Sequence, residues 1–230
     1  MPGIFIFLEH KFIILYIKLH AMFLKDELPI LGILRGIKQE HIDPIVSMLS
    51  NEGIRYVEVT MNTQGANELI KELIRKSDGN FTVGAGTVLH NKDLEEALNA
   101  GAKFIVTPSV VEDVIQNCVQ EKIPVFPGAL TPTEVYKAWD MGATMVKLFP
   151  SGVYGPGYIR ALKGPFDDIK IMAVGGVSEK NIAQYFLQGA SAVAFGAGIF
   201  RPEWLQNNHF DFIEDKLKLL IKAYKATDGI

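Results

Sequence analysis

From Pro29 onward the chain alternates short apolar runs with longer segments of helical period, and glycine or proline marks most of the changes. A short continuous apolar run rich in β-branched residues suits a strand buried on both faces. Apolar residues three and four apart suit a helix packed on one side. The strand-like runs fall at residues 30–34, 56–59, 82–84, 104–106, 125–126, 145–148, 170–173 and 192–195, and helical patterns at 42–51, 66–76, 91–100, 112–120, 132–141 and 179–188 lie between them. Strands apolar on both faces and joined by helices pair in parallel. Eight such units predict an α/β chain closed into a (β/α)8 TIM barrel, with a doubly wound open sheet as the alternative.

Four helical patterns end in a small-residue corner: Glu52-Gly53, Ala100-Gly101-Ala102, Met141-Gly142-Ala143 and Gln188-Gly189-Ala190. A helix end often needs one left-handed residue, which glycine adopts without a Cβ clash, so these glycines read as punctuation. Residues 212–224 read as a closing amphipathic helix with its lysines in solvent. The 230 residues, 48% hydrophobic and 21% charged, suffice for one barrel-sized core. Residues 22–230 read as a single domain. Residues 1–21 form an apolar extension of doubtful origin, interrupted by Glu9, His10, Lys11, Lys18 and His20, which argues against a membrane span. A net charge of -3 gives no long-range attraction to nucleic acid or an acidic membrane, so neither is an expected partner. Cys118, the one cysteine, excludes an internal disulfide, suits a reducing cytoplasm and falls in a helical stretch where it should pack as a small apolar group.

Reactive groups of a barrel collect at the carboxyl ends of its strands. Lys147 stands in Met145-Val146-Lys147-Leu148-Phe149-Pro150, where its apolar neighbours should turn it into the mouth; desolvation there favours the neutral amine that attacks a ketone. Snorkelling to the strand end, or a pair with Glu58, is the plainer reading. Glu58, in Tyr56-Val57-Glu58-Val59-Thr60, faces inward by alternation and could carry protons for an imine; a salt bridge to Lys147 or Arg35 is the alternative. Arg35 follows the first strand, where its fork could hold a carboxylate or orient Glu58. The run Val83-Gly84-Ala85-Gly86-Thr87-Val88 suits either a carboxylate held by Thr87 and the Gly86 amide or a simple bulge. Gly175-Gly176 after the seventh strand and Gly196-Ala197-Gly198 after the eighth have the position of a phosphate cradle. The five histidines form no ligand-spaced pair with one another and there is no cysteine cluster, so neither a metal nor another cofactor is expected. Nucleophile-elbow and dinucleotide fingerprints are absent as well.

Val57-Glu58-Val59-Thr60, Val83-Gly84-Ala85-Gly86-Thr87-Val88-Leu89, Val106-Thr107-Pro108, Phe126-Pro127-Gly128, Val146-Lys147-Leu148-Phe149-Pro150 and Val174-Gly175-Gly176-Val177 follow in an order that resembles the 2-keto-3-deoxy-6-phosphogluconate and 4-hydroxy-2-oxoglutarate aldolase family. The resemblance covers roughly residues 28–200. It implies a class I aldolase in which Lys147 forms the imine, Glu58 is the acid/base, and Gly86 and Thr87 receive the pyruvyl carboxylate. Pro108 and Phe149 wall the pocket, and Gly175, Gly176, Gly196 and Gly198 surround the phosphate. The implied substrate is a small phosphorylated keto acid and the implied assembly a homotrimer. Three substrate-contacting positions depart from the gluconate-type pattern: Asn62 stands for an arginine, Gly198 for a serine and Val174 for a threonine. Leu34-Arg35-Gly36 and the stretch Phe149-Pro150-Ser151, Tyr154-Gly155-Pro156 and Tyr158-Ile159-Arg160-Ala161-Leu162-Lys163 resemble the phosphogalactonate-type aldolases, in which an arginine after the first strand shares anion binding. The rivals are another phosphate-binding barrel, such as a sugar-phosphate epimerase or a thiamin-phosphate synthase, and a ligand-binding barrel without turnover.

Overall fold

The structure is a computed structural model that describes residues 28–227; the expected extension at 1–21 lies outside the described residues. Nine parallel strand segments alternate with helices: β1 (Ile30–Leu34), β2 (Tyr56–Thr60), β3 (Thr82–Gly86), β4 (Ile105–Val106), β5 (Val125–Phe126), β6 (Gly128–Ala129), β7 (Val146–Leu148), β8 (Ile171–Val174) and β9 (Ala192–Phe195). Their lateral order is β5-β4-β3-β2-β1-β9-β8-β7-β6. The expected fifth strand is therefore two segments, and Pro127 between them is the reason. Having no N–H, proline cannot continue a ladder as donor. On its amino side β5 pairs with β4, and on its carboxyl side β6 pairs with β7. The chain thus changes partners at one residue and closes the sheet into a barrel.

The helices are α1 (Ile42–Asn51), α2 (Ala66–Ser77), α3 (Asn91–Asn99), α4 (Glu112–Gln120), α5 (Pro132–Asp140), α6 (Gly157–Lys163), α7 (Ile182–Leu187), α8 (Pro202–Gln206) and α9 (Phe210–Lys225). The start of α5 shows how the sequence sets a boundary. Pro132 takes the first turn, Thr131 accepts from the Glu134 N–H, and the Glu134 carboxylate accepts from the Thr131 N–H at 2.8 Å. At the other ends, Gly53, Gly101, Gly142 and Gly189 all take positive φ, and the following N–H reaches the carbonyl five residues back at 3.0, 3.0, 3.2 and 3.0 Å. A fifth corner of the same kind follows α4 without a glycine: Lys122 itself holds φ 57 and Ile123 donates to the Cys118 carbonyl at 2.7 Å.

Two apolar cores result. Outward-facing residues such as Val57, Val59, Val83 and Val146 pack under the helices, while Leu31, Tyr56, Phe104, Phe126, Met145 and Met172 fill the barrel itself. This interior plug occupies the amino-terminal half of the cylinder, so polar groups on the strands find room only at the carboxyl end.

Candidate active site

Strand alternation places Glu58 and Lys147 inside the barrel. On β7 the flanking Val146 and Leu148 belong to the outer core, so Lys147 turns inward, where it is 6% exposed, with Gly128 and Met172 as its lateral neighbours. On β2, Val57 and Val59 do the same for Glu58, which is 1% exposed. Both line one cleft of about 510 Å³ at the barrel mouth, together with Arg35, Thr87, Pro108 and Phe149. The plain salt bridge is not formed: among the described residues Glu58 has no ion-pair partner within 4.0 Å, and its buried Oε2 has no hydrogen-bond partner.

Burial dominates the protonation of both groups. It pushes the Glu58 carboxyl upward, against the opposing pull of Lys147 and then Arg35. It pushes the Lys147 ammonium downward, against Glu58 and with Arg35. Each shift favours the uncharged form, which is the form of the amine that adds to a carbonyl and the form of the carboxyl that donates a proton. The Lys147 Nζ also lies 5.3 Å from the centre of the Phe149 ring.

The mouth loops are tied to one another by polar contacts. Arg35 donates from Nη2 to Thr87 Oγ1 at 3.1 Å. Thr87 holds φ 56, a left-handed conformation that costs a β-branched residue about 1–3 kcal/mol and is found mainly where surroundings over-determine it. The Gly36 N–H donates to Thr63 Oγ1 at 3.0 Å, and Thr63 shares a hydrogen bond with Thr60 at 2.9 Å. On the far side, Ser151 Oγ and the Gly152 N–H donate to the Gly175 carbonyl at 2.9 and 2.8 Å, while Asn181 Nδ2 donates to the Gly176 carbonyl at 2.8 Å. Gly175 and Gly176 take φ of 87 and 84, and a Cβ on Gly176 would meet the Gly152 backbone. Thr63, Ser151 and Asn181 were not singled out by the sequence: Thr63 and Ser151 meet backbone groups of other loops, and Asn181 closes its own loop back onto Gly176 and Ser178. Only the Ser178-x-x-Asn181 spacing after the glycine pair offered a local signal.

Of the expected residues, Arg35, Glu58, Thr87, Pro108, Lys147, Phe149, Val174, Gly175, Gly176 and Gly196 line the cleft. Three do not. Gly86 lies at the end of β3 against the Glu58 carboxyl. Asn62 is exposed in the turn after β2 and outside the cleft lining. Gly198 lines a separate hollow of about 250 Å³ with Lys180, Arg201 and Lys216. Cys118 is buried, and burial pushes its thiol up to about 12, so it packs as expected and is no nucleophile. Among the described residues no three His, Cys, Asp or Glu side chains are grouped to hold a metal ion, and no helix is long and apolar enough to cross a membrane.

A parallel barrel whose mouth holds a buried lysine in one cleft with a buried carboxyl that has an unpartnered oxygen is the architecture of a carbonyl-addition lyase. The family model described as the KDPG and KHG aldolase matches residues 23–216. The chain is 34% identical over 178 residues to the 2-dehydro-3-deoxy-6-phosphogalactonate aldolase of Escherichia coli, covering 77% of this chain and 87% of the relative. Among solved structures, one described as native KDPGal superposes with a TM-score of 0.83 at 30% identity, over 90% of this chain and 98% of the other. The KDPG aldolase of Legionella pneumophila, with pyruvate captured as a covalent carbinolamine, superposes with a TM-score of 0.78 at 26% identity, over 89% and 97%. This chain belongs to the KDPG and KHG aldolase family, and is by that membership an aldolase, a carbon–carbon lyase.

Proposed function

We propose that the chain is a class I aldolase that splits a 2-keto-3-deoxy-6-phospho sugar acid into pyruvate and glyceraldehyde 3-phosphate, with Lys147 as the imine-forming amine and Glu58 as the proton carrier. The observation that carries the reading is a buried lysine and a buried carboxyl oxygen without a partner in one cleft. Neutral Lys147 adds to the C2 ketone, and Glu58 supplies the proton with which the carbinolamine loses water. The protonated imine then accepts the electron pair of the C3–C4 bond as Glu58 takes the C4 hydroxyl proton. Glyceraldehyde 3-phosphate leaves, the enamine is protonated at C3, and water releases pyruvate. In this reading Arg35 and Thr87 orient the substrate carboxylate, Pro108 and Phe149 wall the pocket, and the loops of Gly175, Gly176 and Gly196 receive the phosphate, all of them lining the one cleft. 4-Hydroxy-2-oxoglutarate, split to pyruvate and glyoxylate, is a second substrate of the same chemistry.

The phosphogalactonate name of the E. coli relative, together with Arg35 and Val174 in the cleft, favours a relaxed or galactonate-type preference at C4. A homotrimer in the cytoplasm is the assembly and setting that go with this reading. Val153 and Tyr154, 65% and 60% exposed after β7, offer apolar surface to such an assembly. Borohydride reduction in the presence of pyruvate, followed by peptide mapping, tests the chemistry. A reduced adduct on Lys147 is expected; no adduct, as for an epimerase or a thiamin-phosphate synthase, overturns the assignment.

A further inference from the structure

We infer that Gly86 is a positioning residue for Glu58: the side chain missing at 86 is the space that holds the proton-carrying carboxyl at the level of the mouth. The inference rests on the reading of Glu58 given above.

In the β2–β3 ladder Glu58 is level with Gly84, and Thr60 is level with Gly86. The Glu58 carboxyl nevertheless lies over Gly86, so the side chain leans along its strand towards the mouth. The two upper inward positions of β3, above Thr82, explain the lean. Both are glycine, and β3 gives the upper barrel interior no side chain of its own. The space at Gly84 is taken by the ring of Phe104, fully buried and packed edge-on against Phe126 at 5.7 Å. That ring blocks the level at which Glu58 leaves its strand. The space at Gly86 is taken by the carboxyl: the three atoms nearest to a Cβ built there are Glu58 Oε1, Cδ and Oε2. Gly86 has no left-handed φ, so the backbone at this position does not itself call for glycine. The requirement is steric and its nearest neighbour is Glu58.

Gly86→Ala therefore displaces the carboxyl while leaving Lys147 and the cleft walls in place. Turnover should fall by about tenfold or more, the scale of a misplaced acid/base, with a change in KM of less than about threefold. Exchange of the pyruvate methyl protons with deuterium oxide should fall alongside, while borohydride still traps pyruvate at equilibrium. In a Glu58→Gln background the same change should have less than about a threefold further effect, because the group it moves no longer carries protons. A Gly86→Ala enzyme within about twofold of wild type in kcat, or losses that simply multiply in the double variant, overturns the inference. Near-normal activity of Glu58→Gln alone would instead overturn the role of Glu58. If Gly86→Ala fails to fold, Gly86→Ala with Glu58→Asp supplies the test: the shorter acid should restore a folded barrel if Glu58 is the obstacle, and continued misfolding refutes the assignment.

Discussion

Replacing Glu58 by glutamine keeps the shape of the side chain and removes its titration, which makes the burial of that carboxyl measurable as stability. The unfolded chain ionises Glu58 near 4.5, whereas the folded protein holds the proton to higher pH because burial outweighs the attraction of Lys147 and Arg35. Below the unfolded value both states are protonated, and the neutral carboxyl contributes its full stability. Above it the unfolded state releases a proton that the folded state keeps, so stability declines by up to about 1.4 kcal/mol per pH unit until Glu58 ionises in place. Urea unfolding of wild type and Glu58→Gln at steps from about pH 4 to about pH 8 should give a difference that falls with that slope and then levels, and the levelling point reads the folded pKa directly. Repeating the pair with Lys147→Met removes the larger of the two positive influences, so the levelling point should move to higher pH. A difference that is flat with pH, or that rises, would refute the claim that the carboxyl is held uncharged by its surroundings.

Lys147→Ala should abolish pyruvate release in a coupled assay while the far-UV circular dichroism stays unchanged; measurable turnover would show that another group carries the imine. Val174, at the end of β8 in the cleft, has no hydroxyl to offer at C4: Val174→Thr should shift the kcat/KM ratio of the two epimers towards the gluconate type by about 1–3 kcal/mol, and an unmoved ratio would remove this position from specificity. Lys122→Gly should stabilise the barrel by about 0.5–1 kcal/mol, since a glycine relieves the left-handed backbone at the corner after α4. The reverse change, Gly53→Ala, where a Cβ meets nothing within 4 Å, should destabilise by a similar amount in the same urea titration.

Much of this was legible because the barrel repeats two simple periods. A lysine and a glutamate in otherwise apolar strands had to face inward, and the corner glycines at 53, 101, 142 and 189 had to be left-handed. The partner change at Pro127 was not legible, because a strand's neighbours on either side are set by the closed ring rather than by its own residues. The corner at Lys122 was hidden by a residue that gives no sign of its backbone. Helices α6 and α8, of seven and five residues, are too short to show a period, and α7 begins at Ile182 rather than 179 because a turn precedes it in which the Ser178 N–H donates to Asn181 Oδ1 and the Asn181 N–H to the Ser178 carbonyl. At the site, Asn62 followed from family spacing alone and Gly198 also from its place after the last strand, and the fold puts one in solvent and the other in the adjoining hollow. Gly86 was expected to offer its amide; what the fold uses is its lack of a side chain.

The pairing of β1 with β9 joins Gly32 to Phe195 and brings Ile33 against Gly196. These are contributions from opposite ends of the domain to one wall of the cleft. A chain that has zipped its other strands but not this pair has no finished pocket, so occupancy and ring closure are thermodynamically linked. An anion that bridges Arg35 and the Gly196 loop would work as a clasp, raising the resistance of the closed ring to opening by about 2.7 kcal/mol at a hundredfold excess over its Kd.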